Sequence, residues 1–454
     1  MSLNETPRAN RLHIGIYGRR NAGKSSLINA LTGQDIALVS PEAGTTTDPV
    51  FKSMELHPVG PVVFIDTAGF DDTGELGKLR VERTEGVLDK TDVAVVVMDI
   101  NGGQDLGTET KWIAQLEKRK VPVIIALNKT EGLTAEQLVA GQEKISEKLL
   151  SFDTEKTVEM EKPAEAEKTE PHGADIDGKG SAQVKYDMIA VSAASGAGIE
   201  DLRRAIEKAV PEDYMRERIL GDMIGEGELA LLVMPQDIQA PKGRLILPQV
   251  QTIRELLDRK CTAVATTADG LERALDSLKK APDLIITDSQ CFNMVYEKKP
   301  MQSALTSFSV LFAAYKGDIE KFTAGASVLD DMTEKSRVLI AEACTHVPLS
   351  EDIGREKIPN LLRKSFGSGI SVTNVCGNDF PGNEELKEYD LIIHCGACMF
   401  NRKHVLSRIA AAEAAGVPIT NYGVVLAKLA GILDKIQLPP SGSRNTGDDG
   451  SKIK

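Results

Sequence analysis

The sequence predicts an α/β protein of more than one domain, and three observations carry that expectation. Short β-branched runs alternate with longer helical stretches along most of the chain. A glycine-rich turn ending in Lys-Ser follows the first of these runs and opens a helix, which is the layout of a phosphate-binding loop. The length of 454 residues exceeds what one hydrophobic core organises, and points to roughly two to four domains.

Composition narrows the class. Apolar residues make up 41% and charged residues 27%, a globular balance that excludes disordered, collagenous and disulfide-framework chains. Apolar runs such as 93–98 and 229–234 are far shorter than the roughly 18 residues of a membrane span, so no membrane partner is expected. The first six residues lack the basic and then apolar layout of a signal peptide, and a cytoplasmic location is expected. In that reducing compartment six cysteines read as metal ligands or buried thiols before disulfides. A net charge of -13 offers no global attraction to nucleic acid, and no nucleic-acid partner is expected.

Taken in order, strands are expected at 12–18, 62–66, 93–99, 123–128 and 188–192, within a first domain over 1–211. Between Ser151 and Asp187, ten acidic residues stand against five lysines with few large apolar ones, so this stretch reads as a solvated, partly disordered insertion. A charged connecting helix is expected at 212–224. A small α/β module to 306 has strands at 229–234, 263–266 and 284–287, with helices at 249–260 and 270–280. A third unit, 307–438, has strands at 310–313, 338–342, 372–376 and 391–394, followed by a flexible tail at 439–454.

The segment Gly18-Arg19-Arg20-Asn21-Ala22-Gly23-Lys24-Ser25-Ser26 fits the phosphate-binding loop, with strand before and amphipathic helix after. Its backbone N–H groups, those of Ala22 to Ser26 included, wrap phosphates at a helix N-terminus. Lys24 reaches the β and γ oxygens and Ser25 ligates magnesium. Asp66-Thr67-Ala68-Gly69 supplies a carboxylate for a magnesium water and the Gly69 amide as γ-phosphate sensor. Asn128-Lys129-Thr130-Glu131 resembles the guanine reader, with Glu131 where Asp is usual, and Ser192-Ala193-Ala194 resembles the contact to guanine O6. Together these motifs resemble a GTPase of the translation-factor type, within the branch typified by TrmE and Era. That resemblance implies GTP and GDP as ligands. Two features carry the narrower match. Asn21 stands where potassium-activated members help hold K+, and Gly44-Thr45-Thr46-Thr47-Asp48 resembles their switch, with Thr46 as the magnesium and γ-phosphate threonine. Phe70 follows Gly69, so a water-positioning glutamine is missing there, and K+ would supply charge instead.

Cys344-Thr345-His346 and His394-Cys395-Gly396-Ala397-Cys398 each follow an expected strand, at the end where ligands gather in open α/β sheets. Iron-sulfur, zinc and redox readings are all open to such thiols. Cys261, Cys291 and Cys376 read as buried small hydrophobes.

The C-x-H, long gap, H-C-x-x-C spacing, with 47 residues between His346 and His394, is similar to that of the hydrogenase-maturation GTPases of the HydF family. The resemblance covers nearly the whole chain. It implies a P-loop GTPase domain, a small α/β dimerisation module and an α/β iron-sulfur cluster-binding domain. It further implies a 4Fe-4S cluster on Cys344, Cys395 and Cys398, with His346 or His394 as candidate fourth ligand. A homo-oligomer would carry a di-iron precursor as cargo to apo FeFe-hydrogenase, with the radical-SAM hydrogenase maturases as further partners. The rival readings are an RNA-modifying or ribosome-assembly GTPase with structural zinc, and an electron-carrying iron-sulfur module.

Overall fold

The computed structural model describes residues 8–33, 50–56, 58–69, 84–102, 105–160, 186–211, 214, 218–235, 245–343, 352–377, 379–397 and 399–440, with backbone alone at 8 and 151–160. Thr46, Phe70, Cys344, His346 and Cys398 lie outside the described residues, as do the tail from 441 and the part of the expected insertion at 161–185. The chain forms two compact units, Met1–Glu212 and Asp213–Lys454.

The first unit is a six-stranded sheet. Its strands are β1 (Leu12–Tyr17), β2 (Val50–Leu56), β3 (Gly60–Asp66), β4 (Val93–Asp99), β5 (Val123–Asn128) and β6 (Asp187–Ala190), in the order β2-β3-β1-β4-β5-β6. All neighbours are parallel except β2 with β3. Every residue of β1 is buried, as expected of a parallel strand covered on both faces, and the ring of its polar residue His13 is satisfied by the Arg11 carbonyl, 2.8 Å from Nδ1. Pairing of Ile16 with Asp66 and of Asp99 with Asn128 aligns the strand ends that carry the motifs. Helix α1 (Lys24–Thr32) buries Leu27, Ile28 and Leu31 on one side and leaves its N-terminus at the loop after β1. The helix Ala135–Met160 runs well past Ser151, so part of the expected insertion is a helical continuation.

The second unit contains two four-stranded parallel sheets. One has β7 (Leu229–Val233), β8 (Thr262–Thr266), β9 (Leu284–Thr287) and β10 (Ala304–Ser307), in the order β10-β9-β7-β8. The other has β11 (Arg337–Glu342), β12 (Ser371–Cys376), β13 (Leu391–His394) and β14 (Ile419–Asn421), in the order β12-β11-β13-β14. Numbered within each sheet, both have the order second, first, third, fourth. The order of strand addition therefore reverses between the first and third strands, β7 and β9 in one sheet and β11 and β13 in the other, which is where open α/β sheets place ligands. One apolar core joins the sheets, running from Leu231, Val233 and Ile285 through Phe322 to Leu339 and Ile392.

Two expected elements are corrected. Val310–Ala313 is not a strand but lies in the helix Phe308–Lys316, capped by the Ser307 side chain, which accepts from Val310 N–H. Val310, Leu311, Phe312 and Ala313 are all buried there, and so short an apolar run carries no periodicity to separate a strand from a core helix. Of the expected connecting helix, residues 218–224 form turns, with the N–H groups of Ile219 and Leu220 donating to the Glu255 carboxylate. Among the described residues no helix is long and apolar enough to cross a membrane.

Candidate nucleotide site and thiol centre

The loop after β1 adopts backbone conformations suited to its residue types. Gly18 and Gly23 have φ of 148° and 96°, a region that side chains rarely enter. A Cβ on Gly23 would strike the Asn128 amide, so the glycine is also a matter of close approach. Asn21 takes φ 61°, which Asn tolerates better than most residues, and its side chain is exposed. Lys24 is buried at the start of α1, and its Nζ donates to the Gly18 and Arg19 carbonyls at 2.9 Å each. The Arg19 guanidinium is drawn aside by Glu109, with Nε 2.5 Å from Oε1.

At the end of β3, Asp66 is 3% exposed. Its Oδ2 accepts from Ser25 Oγ at 2.6 Å, while Oδ1 has no hydrogen-bond partner among the described residues. Burial pushes the carboxyl above its usual range, opposed by the Ser25 hydrogen bond and the charges of Lys24 and Lys52. A buried carboxylate oxygen without a partner, beside a serine hydroxyl, fits a hydrated magnesium ion. Gly69 passes so close to the Arg20 backbone that a Cβ would come within 2.8 Å of its nitrogen.

The residues expected to read the base meet where β5 and β6 end. Asn128, 2% exposed, donates from Nδ2 to the Ala22 carbonyl at 2.9 Å and accepts on Oδ1 from Ala193 N–H at 3.0 Å. It ties the phosphate loop to the segment after β6. Lys129, with φ 67°, places Nζ 2.7 Å from Asp99 Oδ2. Ser192 Oγ donates to Glu131 Oε2 at 2.7 Å, and this hydrogen bond foremost holds the glutamate below its usual range. The extra methylene of Glu131 is thereby pinned. The structure brings together Gly18, Asn21, Ala22, Gly23, Lys24, Ser25, Ser26, Asp66 and Gly69 around the loop, and Asn128, Lys129, Glu131, Ser192 and Ala193 beside it. Sequence reasoning missed Asp99, Glu109 and Lys52, which lie outside the short motifs.

In the second unit, Cys395 follows β13 at the switch point. Its Sγ accepts backbone N–H bonds from Ala343 at 3.1 Å and Ala397 at 3.4 Å, an arrangement that favours a thiolate. Ala343 directly precedes Cys344 in the chain. His394 is fully buried, and both ring nitrogens are engaged. Nε2 accepts from Arg408 at 3.1 Å, so Nδ1–H donates to the Cys395 carbonyl at 2.8 Å. Burial, then the Arg408 charge, lowers its pKa to about 3. Coordination by His394 would require the ring to give up one of these bonds. Among the described residues no group of three or more His, Cys, Asp or Glu is arranged around a metal. Cys376 is not the simple buried thiol expected: its Sγ lies 3.0 Å from an Arg355 N–H donor, and Arg355 also meets Glu342.

A P-loop nucleotide-binding domain joined to two further parallel α/β sheets is the class that this fold and site define. Family models match the 50S ribosome-binding GTPase over 13–129, the hydrogen maturase F dimerization domain over 219–317 and the hydrogen maturase F tetramerization domain over 320–439. The chain belongs to the hydrogen maturase F (HydF) family and carries a TrmE/Era-like GTPase domain. The model over 320–439 is described by assembly rather than by a cluster. Curated relatives include the tRNA modification GTPase MnmE of Burkholderia thailandensis, 39% identical over 28% of this chain and 27% of that one. GTPase Der of Wolinella succinogenes is 40% identical over 28% and 27%. The matched stretch thus spans about a quarter of these relatives' length. Among solved structures, a single-site variant of Aquifex aeolicus Era bound to GDP.AlF4- is 18% identical with a TM-score of 0.34, over 56% of this chain and 92% of that one.

Proposed function

We propose that the protein is a GTP-hydrolysing, homo-oligomeric scaffold of FeFe-hydrogenase maturation. The observation that supports this most is the joint occurrence, in one chain, of the guanine-nucleotide site and both hydrogen maturase F domains. Magnesium, held by Ser25, Asp66 through water and Thr46, would neutralise phosphate charge. Lys24 presents a fixed ammonium at the loop that receives the phosphates. Glu131 offers a carboxylate to guanine N1–H and N2–H, which adenine cannot supply together. Asn128 keeps base-reading and phosphate-reading segments in register. Asn21 is the candidate for K+.

In the second unit, Cys395 with Cys344 and Cys398 is proposed to hold a 4Fe-4S cluster, and the two N–H bonds onto Cys395 Sγ support a thiolate there. An exchangeable fourth position, or His346, would then receive the di-iron precursor destined for apo-hydrogenase. The domain boundaries at 211, 306 and 438 are part of this reading.

The test combines nucleotide turnover with anaerobic metal and sulfide analysis and EPR of the reduced protein. GTP hydrolysis abolished in Lys24→Ala, with iron and sulfide retained, is the expected result. Zinc without sulfide would overturn the carrier reading and favour the structural-zinc alternative.

A further inference from the structure

We propose that Lys52 is a positioning residue of the magnesium and phosphate site, a fixed positive charge near Asp66 that opposes magnesium there and sets the Mg2+ concentration at which nucleotide is held tightly. The inference rests on the nucleotide reading of the site. Antiparallel pairing sets Lys52 of β2 opposite Phe64 of β3, so their side chains leave the same sheet face. Asp66 lies two residues beyond Phe64 and shares that face. Lys52 is 6% exposed, an unusual burial for lysine. Its Nζ has no hydrogen-bond partner among the described residues, and neither has Asp66 Oδ1.

The other buried lysines among the described residues are compensated. Lys24 donates to two carbonyls, and Lys316 donates to the Phe400 carbonyl at 3.2 Å. Lys52 instead feels Asp66 across a gap longer than a hydrogen bond: burial lowers its pKa and the Asp66 charge opposes that. Packing alone gives no reason for this ammonium, since an apolar side chain of similar length fills such a position without desolvating a charge. A cation in weakly screened surroundings attracts Asp66 and repels a divalent ion brought to the same carboxylate. Magnesium must therefore work against Lys52, and the Asp66 carboxylate keeps a counter-charge before the ion arrives.

The experiment follows fluorescent GDP bound to the full-length protein through a Mg2+ titration at constant ionic strength, for wild type, Lys52→Met and Lys52→Arg. In Lys52→Met the Mg2+ midpoint should fall by roughly tenfold, with GDP affinity in chelator changed little. Lys52→Arg retains the charge and should stay near the wild-type midpoint. Lys52→Gln, also neutral, should follow Met and replaces it should that variant fail to fold. A midpoint unchanged or raised in the neutral variants would overturn the proposal, as would equal shifts in Met and Arg, which would make the effect one of packing. Failure of wild type to bind GDP at any Mg2+ concentration would sink the nucleotide reading and this proposal together; binding without the midpoint shift would sink this proposal alone.

Discussion

At the scale of single residues, the proposed base selection would rest on one carboxylate and the hydroxyl that pins it. Ser192 Oγ occupies Glu131 Oε2, so the glutamate would meet a guanine base from a fixed position despite its length. Glu131→Gln exchanges one acceptor for a donor. Xanthine offers a carbonyl where guanine has its N2 amine, so the variant should bind xanthosine diphosphate at least about tenfold better than GDP, since the wrong pairing leaves polar groups unmatched. Competition binding of the two nucleotides reads this directly. Asn21 gives a second expectation. Phe70 cannot orient water, and K+ beside Asn21 would supply transition-state charge, so turnover should be faster in K+ than in Na+ at matched ionic strength. Equal rates would remove Asn21 from the mechanism. These positions were legible because each motif is a contiguous run whose chemistry is stated by residue type. Lys52 and Glu109 were not, since the first acts through strand register with Asp66 and the second reaches Arg19 from 90 residues away.

At the scale of elements, the helix Arg402–Ala415 clamps two strand ends through one side chain. Arg408 is 3% exposed, donates to His394 Nε2 and to the Gly377 carbonyl, and lies over the rings of Phe380 and Phe400 at 4.8 and 4.7 Å. Arg408→Met should therefore cost about 3 kcal/mol, because a buried imidazole nitrogen and a carbonyl lose their donor. Urea unfolding of the iron-free protein, compared with wild type, measures it; a loss below about 0.5 kcal/mol would mean that water replaces the guanidinium. The buried central strands β1, β4, β5, β7, β11 and β13 were legible as apolar runs. Of the edge strands, β6, β8 and β12 were legible and β2, β10 and β14 were not. Strand β2 points a lysine inward at 52, which breaks the alternation that marks a half-buried strand. Strands β10 and β14, Ala-Leu-Thr-Ser and Ile-Thr-Asn, are short and at least half polar, so they lack the apolar run that marked the similarly short β9 and β13. Val310–Ala313 misled for the opposite reason, being apolar on every side of a core helix.

At the scale of the whole molecule, the two sheets of the second unit share one core, so excising either would expose Leu231, Ile285, Leu339 or Ile392. Assembly is better tested on a surface. The helix Leu247–Asp258, within the stretch matched by the dimerization domain, leaves Val250 and Leu257 44% and 58% exposed. They stand seven residues apart, two helical turns, and so share one face. An exposed apolar pair inside the stretch matched by the dimerization domain makes this face the one to test. The double variant Val250→Glu, Leu257→Glu should leave the fold intact, since neither side chain fills the core, and should lower the assembly by one step in light scattering. Desolvating two carboxylates at the contact would oppose association far more than the lost apolar area, which sets the direction of the change. An unchanged molar mass would place the interface on another face of the domain.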